Sequence, residues 1–151
     1  MKIVNTISIV SQEYAVLAGQ WASDLEFYKI ETSFLRGLLE DHFLELCQKR
    51  YIEELKRFGT ILMQLDKTEI DCDQLITIQL AKLSLLTKHS LLDNEAELCK
   101  AQVEIEKIML NMTPGYRKVK MDIFRLLDDL FKDKKLRKLQ LSLLDFSKPY
   151  S

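Results

Sequence analysis

The residues best suited to chemistry in this chain are its two histidines and the carboxylates near them. His42 stands among Leu38, Leu39 and Leu46 with Glu45 three positions on, and His89 stands among Leu85, Leu86 and Leu92 with Asp93 one turn on. Imidazole nitrogens together with carboxylate oxygens form a donor set suited to zinc, iron or manganese. If the chain folds back antiparallel about residues 66–69, position 42 comes opposite 93 and position 89 opposite 46. His42, Glu45, His89 and Asp93 are therefore the candidate metal ligands. A ferritin-type di-iron site asks for a Glu three residues before each His, and both of those places, Leu39 and Leu86, hold leucine. Two histidines satisfied by hydrogen bonds are the simpler reading.

Glu31 is the other unusual residue. Its helical neighbours at three and four positions are Phe27, Tyr28, Phe34 and Leu35, so its carboxylate faces desolvation unless a cation meets it. It reads either as a buried acid, a metal ligand or a partner-binding anchor, or as half of a structural ion pair with a Lys or Arg of another helix. Asp24 is similar but lies nearer the helix start, where a carboxylate also complements the helix dipole. Trp21, Phe27, Tyr28, Glu31 and Phe34 are the candidate partner-binding residues. Nucleophilic chemistry has no support: the chain holds no Gly-x-Ser-x-Gly elbow, no glycine-rich phosphate loop and no His-Glu-x-x-His. The thiols of Cys47, Cys72 and Cys99 sit in leucine-rich or acidic surroundings that do not lower a thiol pKa. The expectation is a protein that is not an enzyme and needs no cofactor. Gln79 and Gln102 fall near apolar stripes, where an amide can set the register between helices.

These residues are carried by helical patterns. Trp21, Leu25, Tyr28, Thr32, Leu35, Leu39, His42 and Leu46 recur at alternating steps of four and three, the mark of a helix with one apolar side. The step changes at Phe43, Cys47, Tyr51 and Leu55, a stutter that marks a bend or a local unwinding. Asp66, Thr68, Asp71 and Asp73 are turn formers or N-caps, and Thr113-Pro114-Gly115 is the clearest punctuation, with Thr as N-cap and Pro at the first helical position. The expected order is an N-terminal arm over 1–18, a first helix over 19–66, a second over 70–112, a third over 114–131 and a basic, leucine-rich tail over 132–151. The fold class is all-α: a long antiparallel helical hairpin with a shorter third helix in an up-down-up bundle whose seam is coiled-coil-like.

The string Trp21-Ala22-Ser23-Asp24-Leu25-Glu26-Phe27-Tyr28-Lys29-Ile30-Glu31, continuing to about Leu38, resembles the opening of an uncharacterised group of small all-helical bacterial proteins typical of Bacteroidetes. The resemblance implies a cytosolic helical fold and brings no activity and no site.

A chain of 151 residues fits one domain, and four Gly with two Pro favour a few long helices. A net charge of −1 gives no global pull toward nucleic acid. The polar residues Asn5, Thr6, Ser8 and Ser11 break up any secretory core, and no stretch is apolar enough for a membrane span. Three scattered cysteines suggest neither disulfides nor a zinc knuckle, so the expected home is the cytoplasm. Lys132, Lys134, Lys135, Arg137 and Lys138 form a short basic segment that would touch RNA or anionic lipid weakly, or be a solvated face balanced by Asp128, Asp129 and Asp133. Phe27, Phe34 and Phe43 widen the apolar arc of the first helix beyond a two-helix seam, which points to a third helix, a homodimer or another protein partner covering it.

Overall fold

A computed structural model describes the backbone of residues 2–86 and 88–147 and the side chains of residues 9–86 and 94–144. Among these residues every regular element is helical: α1 (Lys2–Asp41), the single turn α2 (Phe43–Leu46), α3 (Ile52–Ser84) and α4 (Lys88–Ser147). The contacts fix the directions. Across α1 and α3, Thr32 meets Glu69 and Lys29 meets Asp73, so the numbers rise on one helix as they fall on the other. Across α3 and α4, Cys72 meets Met109 and Gln79 meets Gln102, again antiparallel. Across α1 and α4, Tyr28 meets Thr113 and Glu31 meets Lys120, so these two run parallel. The architecture is an all-α up-down-up bundle of three long helices.

Each long helix buries one stripe at alternating steps of three and four. On α1 it is Ala18, Trp21, Leu25, Thr32, Leu35 and Leu39; on α3 it is Phe58, Leu62, Glu69, Cys72, Ile76, Gln79 and Leu83. On α4 it runs unbroken from Leu98 through Ile105, Met109, Met112, Tyr116, Val119 and Ile123 to Leu130. The apolar atoms form two clusters. One holds Trp21, Leu25, Ile76 and Met109, the other holds Leu35, Leu39, Phe58, Leu62 and Ile123, and Tyr28 and Leu65 pack against both.

The reversals of the chain fall elsewhere than the turn-forming residues suggest. No turn occurs at 66–69, because α3 is continuous there. Its acids are used sideways: Asp66 pairs with Arg36 and Asp73 with Lys29, while Thr68 Oγ1 donates to the Gln64 carbonyl at 2.9 Å. The chain turns at 42–51 instead, where the stutter in the stripe lies, and again after Ser84. The expected helices over 19–66 and 70–112 are thereby replaced by α1, α3 and the first part of α4. The restart at 114 is also absent, since Pro114 lies inside α4. Proline there removes the amide that would bond the Leu110 carbonyl, yet the buried stripe stays in phase across it, and Thr113 Oγ1 bonds the Met109 carbonyl at 3.1 Å. The arm expected over 1–18 is part of α1 from Lys2 on, and the tail is the end of α4 as far as Ser147.

Candidate functional site

Between the two apolar clusters lies a polar waist. Thr32 is wholly buried and Glu69 is only 3% exposed. Thr32 Oγ1 lies 2.8 Å from its own helix's Tyr28 carbonyl and 2.7 Å from Glu69 Oε1. A hydroxyl has one proton, and a backbone carbonyl can only accept. Both contacts are therefore satisfied when Glu69 carries a proton and donates it to Thr32, which passes its own to Tyr28. Burial raises the Glu69 pKa, against the lowering effect of the Thr32 bond.

On the α4 side of the waist, Tyr28 and Thr113 hydroxyls share a 2.7 Å bond. Because Thr113 also donates to Met109, Tyr28 is the donor of the pair. Glu31 accepts from the Tyr116 hydroxyl and from Lys120 Nζ at 3.0 Å. Tyr28 and Tyr116 rings stack obliquely with centroids 5.1 Å apart. Tyr28, Glu31, Tyr116 and Lys120, together with Asp24, Phe27 and Arg117, line an open groove of about 400 Å³ between α1 and α4. In its wall the Glu31 carboxylate is already matched by a cation and a hydroxyl.

A second polar cluster clasps the 42–51 turn to α4. The His42 ring stands edge-on to Phe131 with centroids 5.2 Å apart, and its Nδ1 lies 3.3 Å from Glu45. Glu45 accepts from Lys134 at 2.5 Å, which is the first cause of its lowered pKa. Asp133 accepts from Tyr51 and from Arg50, and these bonds hold its carboxyl below the usual range. Burial, then the Asp133 contact, pushes the Tyr51 hydroxyl up. Arg137 reaches Gln48 at 3.4 Å and Lys132 pairs with Asp128 at 3.0 Å. Most of the basic segment is thus engaged by neighbouring polar groups, while Lys135 and Lys138 pair with no acid among the described residues.

Toward the other end, Gln79 Nε2 donates to both Gln102 Oε1 and the Leu98 carbonyl at 3.0 Å, and Gln102 Nε2 donates to the Tyr14 carbonyl of α1 at 3.2 Å. The two amides tie all three helices together. Gln79 Oε1 is buried without a partner among the described residues.

The structure separates the residues singled out from sequence. Glu31 has its cation, Lys120, from another helix. Trp21 is 8% exposed and packs in the core, offering no surface to a partner, and Tyr28 is half-buried in the waist. Phe27 and Phe34 remain 56% and 58% exposed after α3 and α4 have packed, with Ile30 between them at 65%. The pairing of His42 and Glu45 with His89 and Asp93 required a turn at 66–69. With α3 continuous, position 42 lies beyond one end of it and position 89 beyond the other, separated by 33 residues of helix, or about 50 Å. The side chains of His89 and Asp93 lie outside the described residues. Among the described residues no group of three or more His, Cys, Asp or Glu is placed to hold a metal ion. Glu69 went unnoticed because its surroundings read as a turn; the signal that finds it is the continuity of Leu62, Leu65, Glu69, Cys72 and Ile76 at helical steps.

The fold and its polar waist define an elongated helical bundle that leaves apolar side chains uncovered, Phe27, Ile30 and Phe34 of α1 among them. Comparisons with protein-family models, with curated proteins and with solved structures find no match to this chain. Among the described residues no helix is long and apolar enough to cross a membrane.

Proposed function

We propose that this chain is a non-enzymatic helical interaction protein that self-associates through the outer face of α1. One observation carries the reading: Phe27, Ile30 and Phe34 lie on one stripe of α1 and stay more than half exposed although both other helices have taken their places beside it. Three large apolar side chains on one stripe are costly to leave in water, and such contiguous patches mark docking surfaces. The adjoining groove, with Tyr28 and Glu31 in its wall, gives that surface relief. A reducing cytoplasm suits three unpaired cysteines, of which Cys47 and Cys99 are exposed.

Light scattering coupled to size exclusion tests this. The wild type is expected at twice its chain mass in the micromolar range, and Phe27→Ser/Phe34→Ser at the single-chain mass with an unchanged thermal melt. A wild type that stays monomeric to high micromolar concentration, or a serine variant that stays dimeric, refutes it. Metal bound stoichiometrically to protein purified without chelator would sink the non-enzymatic structural reading in favour of a metal-binding one.

A further inference from the structure

Half a turn away from its buried stripe, α4 carries a second one. Val103, Leu110, Pro114 and Met121 follow one another along the outer face of this helix, with Val103 57%, Leu110 66% and Met121 54% exposed. Lys107, Arg117, Lys118 and Arg125 fill the other steps of three and four on that face, and all four are exposed. The ridge so formed runs for about 33 Å of helix from Val103 to Arg125. Although the chain as a whole has a net charge of −1, the stretch from Lys107 to Met121 contains four bases and no acid. Glu104 and Glu106 precede it and Asp122 follows it. Lys120 is turned aside to Glu31, and Arg125 lies 3.9 Å from Asp122. Lys107, Arg117 and Lys118 form no salt bridge among the described residues, even though Arg117 shares a groove with Asp24 of α1. The bases of this ridge are therefore left with their charge uncompensated.

An aliphatic line flanked by long cationic side chains, on the convex back of a helix, has the chemistry of an interfacial surface. Methyl and thioether groups enter the boundary between lipid headgroups and acyl chains, while lysine and arginine lay their stems along that boundary and carry their charge to the phosphates. Midway along the ridge an open groove of about 450 Å³, with Pro114 and Met121 in its wall and Arg117, Lys118 and Arg125 around it, gives a headgroup room to sit. We propose that the outer ridge of α4 binds an anionic lipid surface. Charge selects this occupant: each uncompensated base strengthens the attraction to negative headgroups over a Debye length. Nucleic acid is the poorer match, because the line between the bases is aliphatic and offers no ring on which a base can stack. The attachment is peripheral, with the bundle lying on the surface. It is independent of the α1 docking face, since Phe27, Ile30 and Phe34 stand on another helix.

Sedimentation of the full chain with lipid vesicles tests it. The wild type is expected to pellet with vesicles of phosphatidylcholine containing phosphatidylserine, to stay in solution with phosphatidylcholine alone, and to be released as salt is raised. Lys107→Glu/Lys118→Glu is expected to lower the affinity by about tenfold or more, and Leu110→Ser/Met121→Ser to weaken it as well, both with circular dichroism unchanged. Lys135→Glu/Lys138→Glu, which reverses bases near the end of α4, should bind as the wild type does. A wild type that stays in solution with phosphatidylserine vesicles refutes the proposal, as does undiminished binding by either ridge variant. If the exchange at 135 and 138 abolishes pelleting while the ridge variants still pellet, the lipid contact belongs to the end of α4 and the ridge is not the site. A wild type that ignores the vesicles but binds DNA through Lys107 and Lys118 overturns the proposal in favour of nucleic acid.

Discussion

The Thr32–Glu69 contact makes a prediction whose sign depends on pH. Glu69 is 3% exposed and its pKa is raised, first by burial. Between the ordinary glutamate value of about 4.3 and the raised native value, the folded chain holds a proton that the unfolded chain releases. Stability therefore falls as pH rises across that window and levels off above it. Glu69→Gln keeps the shape, offers an amide hydrogen to Thr32 Oγ1 and cannot ionise. It is expected to be more stable than the wild type at pH 8, with the gap closing as pH falls toward 4. Thr32→Val removes the hydroxyl without changing volume and leaves Glu69 Oε1, 2.7 Å away in the native chain, with a buried polar atom unmet. That costs about 1–3 kcal/mol, with Tm falling by about 2–4 °C per kcal/mol for a chain of this size. Replacing both partners with apolar residues, Thr32→Val/Glu69→Met, should recover most of the loss. Urea melts of the wild type and the three variants at pH 4.5 and pH 8 read these differences directly. If Glu69→Gln is the less stable protein at pH 8, the carboxyl is held as a charge by Lys29 and Arg36, and the proton-chain reasoning is wrong.

Glu31→Ala should cost about 1 kcal/mol, because Lys120 is 37% exposed and the stranded ammonium can reach water; a fully buried pair would cost about 3 kcal/mol, and chemical denaturation separates the two. Gln79→Leu strands the buried Gln102 carbonyl and should destabilise by about 1–3 kcal/mol, whereas Gln79→Leu/Gln102→Leu should melt close to the wild type. A Cβ at Gly115 meets nothing within 4 Å, so Gly115→Ala, in the middle of α4, should raise stability by about 0.5–1 kcal/mol, readable as a higher Tm.

Helix class and the buried faces were legible because the four-three step is a direct statement about which side of a helix meets its neighbours. Trp21, Leu25, Leu35 and Val119 all went where that step sends them. The reversals were not legible from residue type alone. Asp66, Asp71 and Asp73 look like caps, but a carboxylate facing Arg36 or Lys29 on the next helix is equally at home in mid-helix. Thr113-Pro114 is the same string whether it starts a helix or interrupts one. Phase decides: the stripe Ile105, Met109, Met112, Tyr116, Val119 crosses Pro114 without slipping, whereas the steps of four from Phe43 to Leu55 do slip, and the chain turns there. Glu31 was recognised as a carboxylate in need of a cation; the identity of that cation, Lys120, depends on which helix lies beside α1 and so follows only from the topology.

The waist also decides what a spectroscopist will see. The chain's one tryptophan, Trp21, sits in the apolar cluster with Ile76 and Met109, while Tyr51 and Tyr116 sit in the other. Indole emission thus reports on one half of the rod and is blind to the opening of its opposite half. Because a polar layer couples two apolar blocks less firmly than continuous packing does, the halves are candidates for separate cooperative units. In that event the emission transition and the loss of helical ellipticity part company, and a stability taken from fluorescence alone belongs to the block around Trp21.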